Sequence, residues 1–156
     1  MVAELYQETW WLHQLANRSL DAIWMRHYYP HNYEITAFEA YLDMYILTGD
    51  ELYMEAVDAS WGMMRDHWIH VGGSIAINEG SPYPPGSYFL DKFPTGELCG
   101  SSFWIRLNQR FHRLRPLEEV YSAEIERSLF NVILANQAPP HTGGPGFPPL
   151  RSEIQL

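Results

Sequence analysis

Apolar residues recur at helical spacing on both sides of one long loop, and this pattern limits the chain to an all-α fold. The first such stripe consists of Phe38, Tyr41, Leu42, Tyr45 and Ile46. Because positions i, i+3, i+4, i+7 and i+8 share one face of a helix, the stripe predicts a helix over residues 35–47. Thr48 and Glu51, on either side of Gly49 and Asp50, have the spacing of a capping box. The next helix is therefore predicted to start at about Asp50.

The second predicted helix covers residues 50–70 and ends at the double glycine Gly72-Gly73. Its apolar face is formed by Tyr53, Ala56, Val57, Ser60, Trp61, Met64 and Trp68. Since only a short turn separates it from the helix before it, the two are predicted to form an antiparallel hairpin. An earlier helix is predicted over residues 4–27, broken near Asn17, and the chain turns around Pro30.

A second hairpin is predicted beyond the long loop, with residues 97–114 paired to residues 117–136 and Pro116 in the turn. Its first helix aligns Trp104, Leu107, Phe111 and Leu114. The second helices of the two hairpins also match at a constant spacing of 68 residues: Tyr53, Val57, Asp58 and Ser60 correspond to Tyr121, Ile125, Glu126 and Ser128. This match indicates hairpins repeated around a common axis, as in α/α barrels and α-solenoids.

Composition and charge exclude several classes of function. The formal net charge is -9, with 10 basic residues against 19 acidic ones. This balance argues against nucleic-acid binding, and the single basic cluster, Arg106, Arg110, Arg113 and Arg115, is interpreted as a solvated helix face. No apolar run approaches the ~20 residues of a membrane span, and residues 1–10 do not resemble a secretory signal. The chain is therefore expected to avoid membranes and, by default, to be cytoplasmic. One cysteine excludes an internal disulfide.

Residues 72–99 form a long loop between the hairpins, rich in turn formers and aromatic residues. Loops longer than ~15 residues are uncommon in compact domains and often bind ligands. The loop is therefore expected to pack across the mouth of the helical scaffold. It contains Glu79, between Asn78 and Gly80, and Glu97, two residues before Cys99.

These three side chains allow functional and ordinary interpretations. Desolvation of the Glu79 carboxyl would raise its pKa and suit it to general acid catalysis, whereas a solvent-facing Glu79 would have no role. Glu97 and Cys99 are both zinc-ligand types, but a catalytic zinc needs three protein ligands. Otherwise Cys99 is a small buried hydrophobe near Phe103, and Glu97 is a carboxylate favoured in the first turn of a helix. The seven histidines are scattered, with only His67 and His70 at helical spacing, and they predict no metal site.

Several short motifs occur together in a recognisable order. They are His31-Asn32, LTGDELY at 47–53, VGG at 71–73, NEG at 78–80, GELCGSSFW at 96–104 and YSAEIERSLFNVILANQ at 121–137. Over residues 26–137 this arrangement resembles the β-L-arabinofuranosidase-like glycoside hydrolases of family 127.

The resemblance implies an all-α domain of helical hairpins that form part of an α/α (six-hairpin) toroid barrel, and a carbohydrate substrate. It also implies a retaining glycosidase in which Glu79 is the acid/base, Glu97 and Cys99 are zinc ligands, and His31 contacts the sugar. Such an enzyme needs a nucleophile opposite the acid/base, roughly 5 Å away.

One departure from the family weakens this expectation of activity. The family's nucleophile belongs to a pair of adjacent cysteines, and this chain has only Cys99. Residues 1–137 are therefore expected to be part of a barrel and inactive alone, with residues 138–156 a proline- and glycine-rich tail. Apolar surfaces of an unfinished barrel are expected to cause self-association. Two alternatives stay open: an α/α-barrel sugar epimerase or unsaturated-sugar hydrolase, and a non-catalytic helical interaction module.

Overall fold

The computed structural model describes residues 9–24, 31–75, 84–86 and 98–136. Regular structure in these ranges is entirely helical, which confirms the all-α prediction. The helices are α1 (Thr9–Ala16), α2 (Asp21–Trp24), α3 (His31–Thr48), α4 (Glu51–His67), α5 (Leu98–Leu114) and α6 (Glu119–Ser128), and a π-helical turn (Leu129–Ile133) continues α6. Both predicted hairpins are present, α3 with α4 and α5 with α6.

The break between α1 and α2 lies where the sequence predicts it, close to Asn17. Arg18 adopts a left-handed φ of 57°, which interrupts the helix. The indole Nε1 of Trp11 then donates to the carbonyl of Ala22 at 2.7 Å, so the two short helices are held together. The Trp11 ring also stacks on Phe38 of α3 with centroids 5.6 Å apart, which joins this N-terminal segment to the first hairpin.

Helix α3 starts earlier than predicted, and its last turn is less buried than the stripe suggested. The helix includes His31 and Asn32 in its first turn, where the sequence predicted a turn. Phe38, Tyr41 and Leu42 are buried as expected, but Ile46 is 59% exposed, so its assignment to the buried face is wrong. In this last turn Met44 and Tyr45 still pack against the core, while Ile46 and Leu47 face solvent.

The cap between α3 and α4 also differs from the prediction. Asp50, rather than Thr48, is the N-cap residue of α4, and its side chain accepts a hydrogen bond from the Leu52 backbone N–H at 3.0 Å. The Thr48 hydroxyl instead donates to the carbonyl of Met44 and accepts from the Asp50 N–H. Gly49, at φ 72°, makes the tight turn between the helices.

The two hairpins stack so that equivalent helices run parallel. Between α3 and α5, three contacts share a separation of 67 residues: Asn32 with Cys99, Glu39 with Arg106, and Asp43 with Arg110. The interpretation of the basic cluster as a solvated face is therefore wrong in part, since Arg106 and Arg110 pair with carboxylates of α3 and Arg115 pairs with Asp58 of α4.

Aromatic rings fill the space between the hairpins. Trp61 of α4 stacks on Trp104 of α5 with centroids 5.8 Å apart, and Phe111 stacks on Tyr121 at 4.9 Å. Trp61 also meets the Tyr121 ring edge at 5.1 Å. Because α4 and α6 contact each other in the same sequence order as α3 and α5, the hairpins form two layers, as in a segment of an α/α toroid.

This stacking gives the helical pairs two distinct ends. The closed end consists of the short turns at 48–50 and 115–118. The open end consists of the first turns of α3 and α5, residues 68–75, and the π-helical turn that follows α6. The predicted functional residues that the structure describes lie at the open end.

Candidate active site

The open end contains buried polar side chains, and burying a polar group costs free energy unless it is well paired. His31, Glu34, Ser74 and Ser128 are each less than about 2% exposed, and Asn32 is nearly as buried. They belong to three separate parts of the chain, which the stacked hairpins bring to one place. Such an accumulation is typical of a functional site.

His31 lies in the first turn of α3 and is held from two sides. The edge of its ring meets Trp68 with centroids 5.6 Å apart. A hydrogen bond joins its imidazole to the backbone of Ile75. Burial lowers the pKa of His31 to about 3, although the Ile75 hydrogen bond opposes this shift. The imidazole is therefore neutral near pH 7, suited to hydrogen bonding and not to ion pairing.

Glu34 is one helical turn beyond His31 on the same face of α3. Its Oε2 atom lies 3.9 Å from Nε2 of His31, and both side chains are buried. Because the imidazole is neutral, this approach is not an ion pair. The i, i+3 spacing could have revealed this neighbour from the sequence, but nothing in the sequence showed that both side chains would be buried.

Asn32 connects the first turns of α3 and α5. Its Nδ2 atom donates a hydrogen bond to Sγ of Cys99 at 3.6 Å. The Oδ1 atom accepts from the Tyr33 backbone N–H at 3.0 Å, which turns the amide NH₂ towards the sulfur. Cys99 is half-buried and accepts this bond, so it is not simply an apolar filler packed towards Phe103.

The double glycine forms a closed turn that leads from α4 into the long loop. The Gly73 N–H donates to the His70 carbonyl at 2.8 Å, and the His70 N–H donates to the Ser74 carbonyl at 2.9 Å. Gly73 adopts a φ of 92°, which side-chain-bearing residues rarely accept. The turn delivers Ser74 and Ile75 to the side of His31. The hydroxyl of Ser74 is buried and has no hydrogen-bond partner among the described residues.

The remaining predicted site residues, Glu79 and Glu97, lie outside the described residues. The roles that the resemblance implies for them, acid/base for Glu79 and zinc ligand beside Cys99 for Glu97, therefore stay predictions, as does the packing of the long loop across the open end. Cys99 and His31 do lie at the same end of the structure, because Asn32, the residue after His31, donates a hydrogen bond to Cys99.

The described residues do not form a metal site by themselves. No three side chains of His, Cys, Asp or Glu within those ranges lie close enough to hold a metal ion. Of the two zinc ligands that the resemblance implies, Glu97 lies outside the described residues. Among the same residues, no helix has the length and apolar character needed to cross a membrane.

Comparisons with known proteins point to a single family. A family model described as β-L-arabinofuranosidase, GH127 catalytic domain, matches residues 10–153. The match is longer at both ends than the resemblance over residues 26–137, and it continues to residue 153, within the segment predicted to be a proline- and glycine-rich tail. No curated protein and no solved structure matches the chain.

Proposed function

The chain belongs to the GH127 β-L-arabinofuranosidase catalytic-domain family, and on that premise we propose that its open end binds a β-L-arabinofuranoside or a closely related sugar. One observation carries the proposal. The hydrogen bond between Asn32 and Cys99 brings two family-like motifs, 67 residues apart, to one place.

The chemistry of the open end suits a carbohydrate. A sugar offers hydroxyl groups that both donate and accept hydrogen bonds, together with apolar ring faces. The neutral His31 imidazole uses one ring nitrogen on the Ile75 backbone, and the buried Ser74 hydroxyl, which has no hydrogen-bond partner among the described residues, can both donate and accept. The ring of Trp68, which is 0% exposed, packs against His31 and holds the imidazole in this position. These groups are those expected of a sugar-binding site.

Roles for the loop residues follow from the family. Glu79 would protonate the leaving glycosidic oxygen and later activate water, as the acid/base of a retaining enzyme does. The nucleophile would come from the family's pair of adjacent cysteines. Because Cys99 is the only cysteine in this chain, we propose that the chain alone binds sugar without hydrolysing it.

Zinc is the metal that the family resemblance implies, with Glu97 and Cys99 as ligands. The Asn32 amide suits a zinc-bound thiolate, because an N–H group that donates to sulfur stabilises its negative charge. Two ligands nevertheless fall short of the three that a catalytic zinc needs. The residues present therefore do not fit a complete zinc site. Elemental analysis should find less than one zinc per chain, and one full equivalent that is lost in Cys99→Ala would contradict this.

An assay with an aryl β-L-arabinofuranoside tests the proposed function. The chain alone should release no aryl alcohol, whereas a chain extended through the family's cysteine pair should do so with retention of anomeric configuration. Glu79→Gln should abolish the activity of the longer chain, and Glu51→Gln, at the closed end, should leave it unchanged. Inactivity of the longer chain would overturn the proposal. Turnover by the chain alone would contradict the missing nucleophile.

Exposed apolar side chains favour self-association as a second property. Leu47 is 79% exposed and Leu117 is 94% exposed, both close to the turns of the closed end. Contact between such side chains on two copies would remove apolar surface from water. We expect sedimentation velocity to show larger species as the concentration rises. A single monomeric species at high concentration would contradict this, and Leu117→Ser should reduce the association.

A further inference from the structure

A buried hydrogen bond attaches the double-glycine turn to the second hairpin. The hydroxyl of Ser128, at the end of α6, donates to the Gly73 carbonyl at 2.7 Å. Ser128 is 0% exposed, so this bond is shielded from competing water. It joins residues 55 positions apart in the sequence.

The backbones also meet closely at this point. A Cβ atom added to Gly73 would lie 2.9 Å from the backbone nitrogen of Ser128 and 3.0 Å from its hydroxyl oxygen. Only a residue without a side chain allows this approach. The left-handed φ of Gly73 and the close packing therefore require glycine for two independent reasons.

The helix changes its geometry immediately after Ser128. Leu129–Ile133 form a π-helical turn, and the Leu134 N–H donates to the Leu129 carbonyl at 2.9 Å. Asn131 of this turn lies against Gly72, whose added Cβ atom would be 3.9 Å from that of Asn131. π-Helical turns are less regular than α-helix and often occur at functional sites. Here the wider turn lies directly against the double glycine.

The end of the 70–75 turn contacts His31. Ile75, two residues after Gly73, is buried, and its backbone forms the hydrogen bond with the His31 imidazole. Ile75 is the last residue of this turn, and the Ser128 hydroxyl bonds the Gly73 carbonyl within it. A chain of two hydrogen bonds and a short stretch of backbone therefore connects Ser128 to His31.

The equivalent serine of the first hairpin behaves differently. Ser60 corresponds to Ser128 at a spacing of 68 residues and is also 0% exposed. Its hydroxyl donates to the Ala56 carbonyl of its own helix at 2.6 Å, which is the ordinary behaviour of a serine inside a helix. Ser128 instead uses its hydroxyl on another part of the chain, towards the open end.

We propose that Ser128 is a positioning residue of the sugar site: its bond to Gly73 sets the 70–75 turn and thereby the orientation of His31. This proposal rests on the proposed function for its link to sugar binding. The positioning itself can be measured without any ligand.

The experiment compares Ser128→Ala with the matched control Ser60→Ala. Each variant removes one buried hydroxyl that bonds a backbone carbonyl, so both should lower the thermal midpoint of unfolding to a similar extent. Only Ser128→Ala should shift the imidazole nitrogen resonances of His31 in NMR spectra, which are identified by their loss in His31→Gln. Unchanged His31 resonances in Ser128→Ala, or equal shifts in both variants, would overturn the proposal.

A second variant covers loss of folding. If Ser128→Ala does not fold, Ser128→Cys keeps the side-chain volume with a weaker donor, and a shift of the same resonances supports the proposal while their constancy overturns it. Binding of methyl β-L-arabinofuranoside should weaken about tenfold in Ser128→Ala, equivalent to about 1.4 kcal/mol. If the unaltered chain does not bind this glycoside, the proposed function fails, and the His31 resonances still decide the role of Ser128.

Discussion

The closed and open ends of the stacked hairpins are built by opposite means. At the closed end, exposed residues cap the helix locally, with the Asp50 side chain accepting from the Leu52 N–H, and Arg115 adds a partly exposed ion pair with Asp58. At the open end, buried residues make bonds across long sequence distances, as between Ser128 and Gly73 and between Asn32 and Cys99. Local capping is sufficient to end a helix and start the next one. The costly buried groups of the open end are not needed to end a helix, which fits the binding role proposed for that end.

The two ends also use glycine differently. Gly49 at the closed end has a φ of 72°, and a Cβ atom added to it would have no atom within 4 Å. Glycine is needed there only for its backbone conformation. Gly73 at the open end has a φ of 92° and lies directly against the backbone of Ser128. The same residue type thus makes a simple turn at one end and permits a close approach at the other.

The largest expected difference between the ends is their response to acid. The unfolded chain takes up a proton on His31 below about pH 6.5, whereas burial lowers its pKa to about 3 in the folded state. Because the unfolded state binds more protons in this window, the folded state loses stability as the pH falls from 6.5 towards 3. The full loss of stability from this one group is on the order of 5 kcal/mol.

Urea unfolding at pH 7, 6, 5 and 4 measures this effect. The free energy of unfolding should fall more steeply with decreasing pH in the unaltered chain than in His31→Gln, which cannot take up the proton. The other histidines and the neighbouring Glu34 are unchanged in that variant. Parallel pH dependences in the two proteins would show that His31 is not buried as the structure places it.

The next difference comes from the two glycines. Gly49→Ala should cost about 1 kcal/mol, because it introduces only an unfavourable left-handed conformation. Gly73→Ala should cost about 3 kcal/mol, since the conformational cost is joined by a clash with the Ser128 backbone. Chemical denaturation of both variants tests this pair. Equal losses would remove the distinction between a free turn and a packed one.

The smallest expected effect concerns the cap of the closed end. Asp50→Ala removes the side chain that accepts from the Leu52 N–H and should cost about 1 kcal/mol. Thr48→Ala removes two exposed hydrogen bonds, with the Met44 carbonyl and the Asp50 N–H, but leaves the Asp50 cap in place, and it should cost less than about 0.5 kcal/mol. The midpoints of thermal unfolding rank the two variants. A larger loss for Thr48→Ala would restore the capping box predicted from the sequence.

The helices could be predicted from the sequence because the patterns that indicate a helix are local. The stripes of apolar residues placed both hairpins, and the repeat from Tyr53 to Tyr121 anticipated their parallel stacking. Errors occurred at helix ends, where one turn changes the environment: Ile46 is exposed, and α3 begins at His31, four residues before the predicted start. At these ends the apolar period alone cannot distinguish the last buried turn from the first exposed one.

The candidate site was less accessible to sequence reasoning because its contacts are not local. His31 and Cys99 came from resemblance to a family, and the structure adds the Asn32 amide that joins their two helices. Neither the Asn32 contact nor the bond from Ser128 to Gly73 has a periodic signature, since each depends on how the hairpins stack. The burial that lowers the pKa of His31 depends on the same stacking.

The central claim is that the open end, and not the closed end, binds a sugar. NMR titration of the ¹⁵N-labelled chain with methyl β-L-arabinofuranoside tests it most directly. We expect saturable shifts of the signals of His31, Asn32 and Cys99 and constant signals of Gly49 and Asp50. The response should be lost in His31→Ala. Shifts at the closed end that persist in His31→Ala, or no saturable response anywhere, would contradict it.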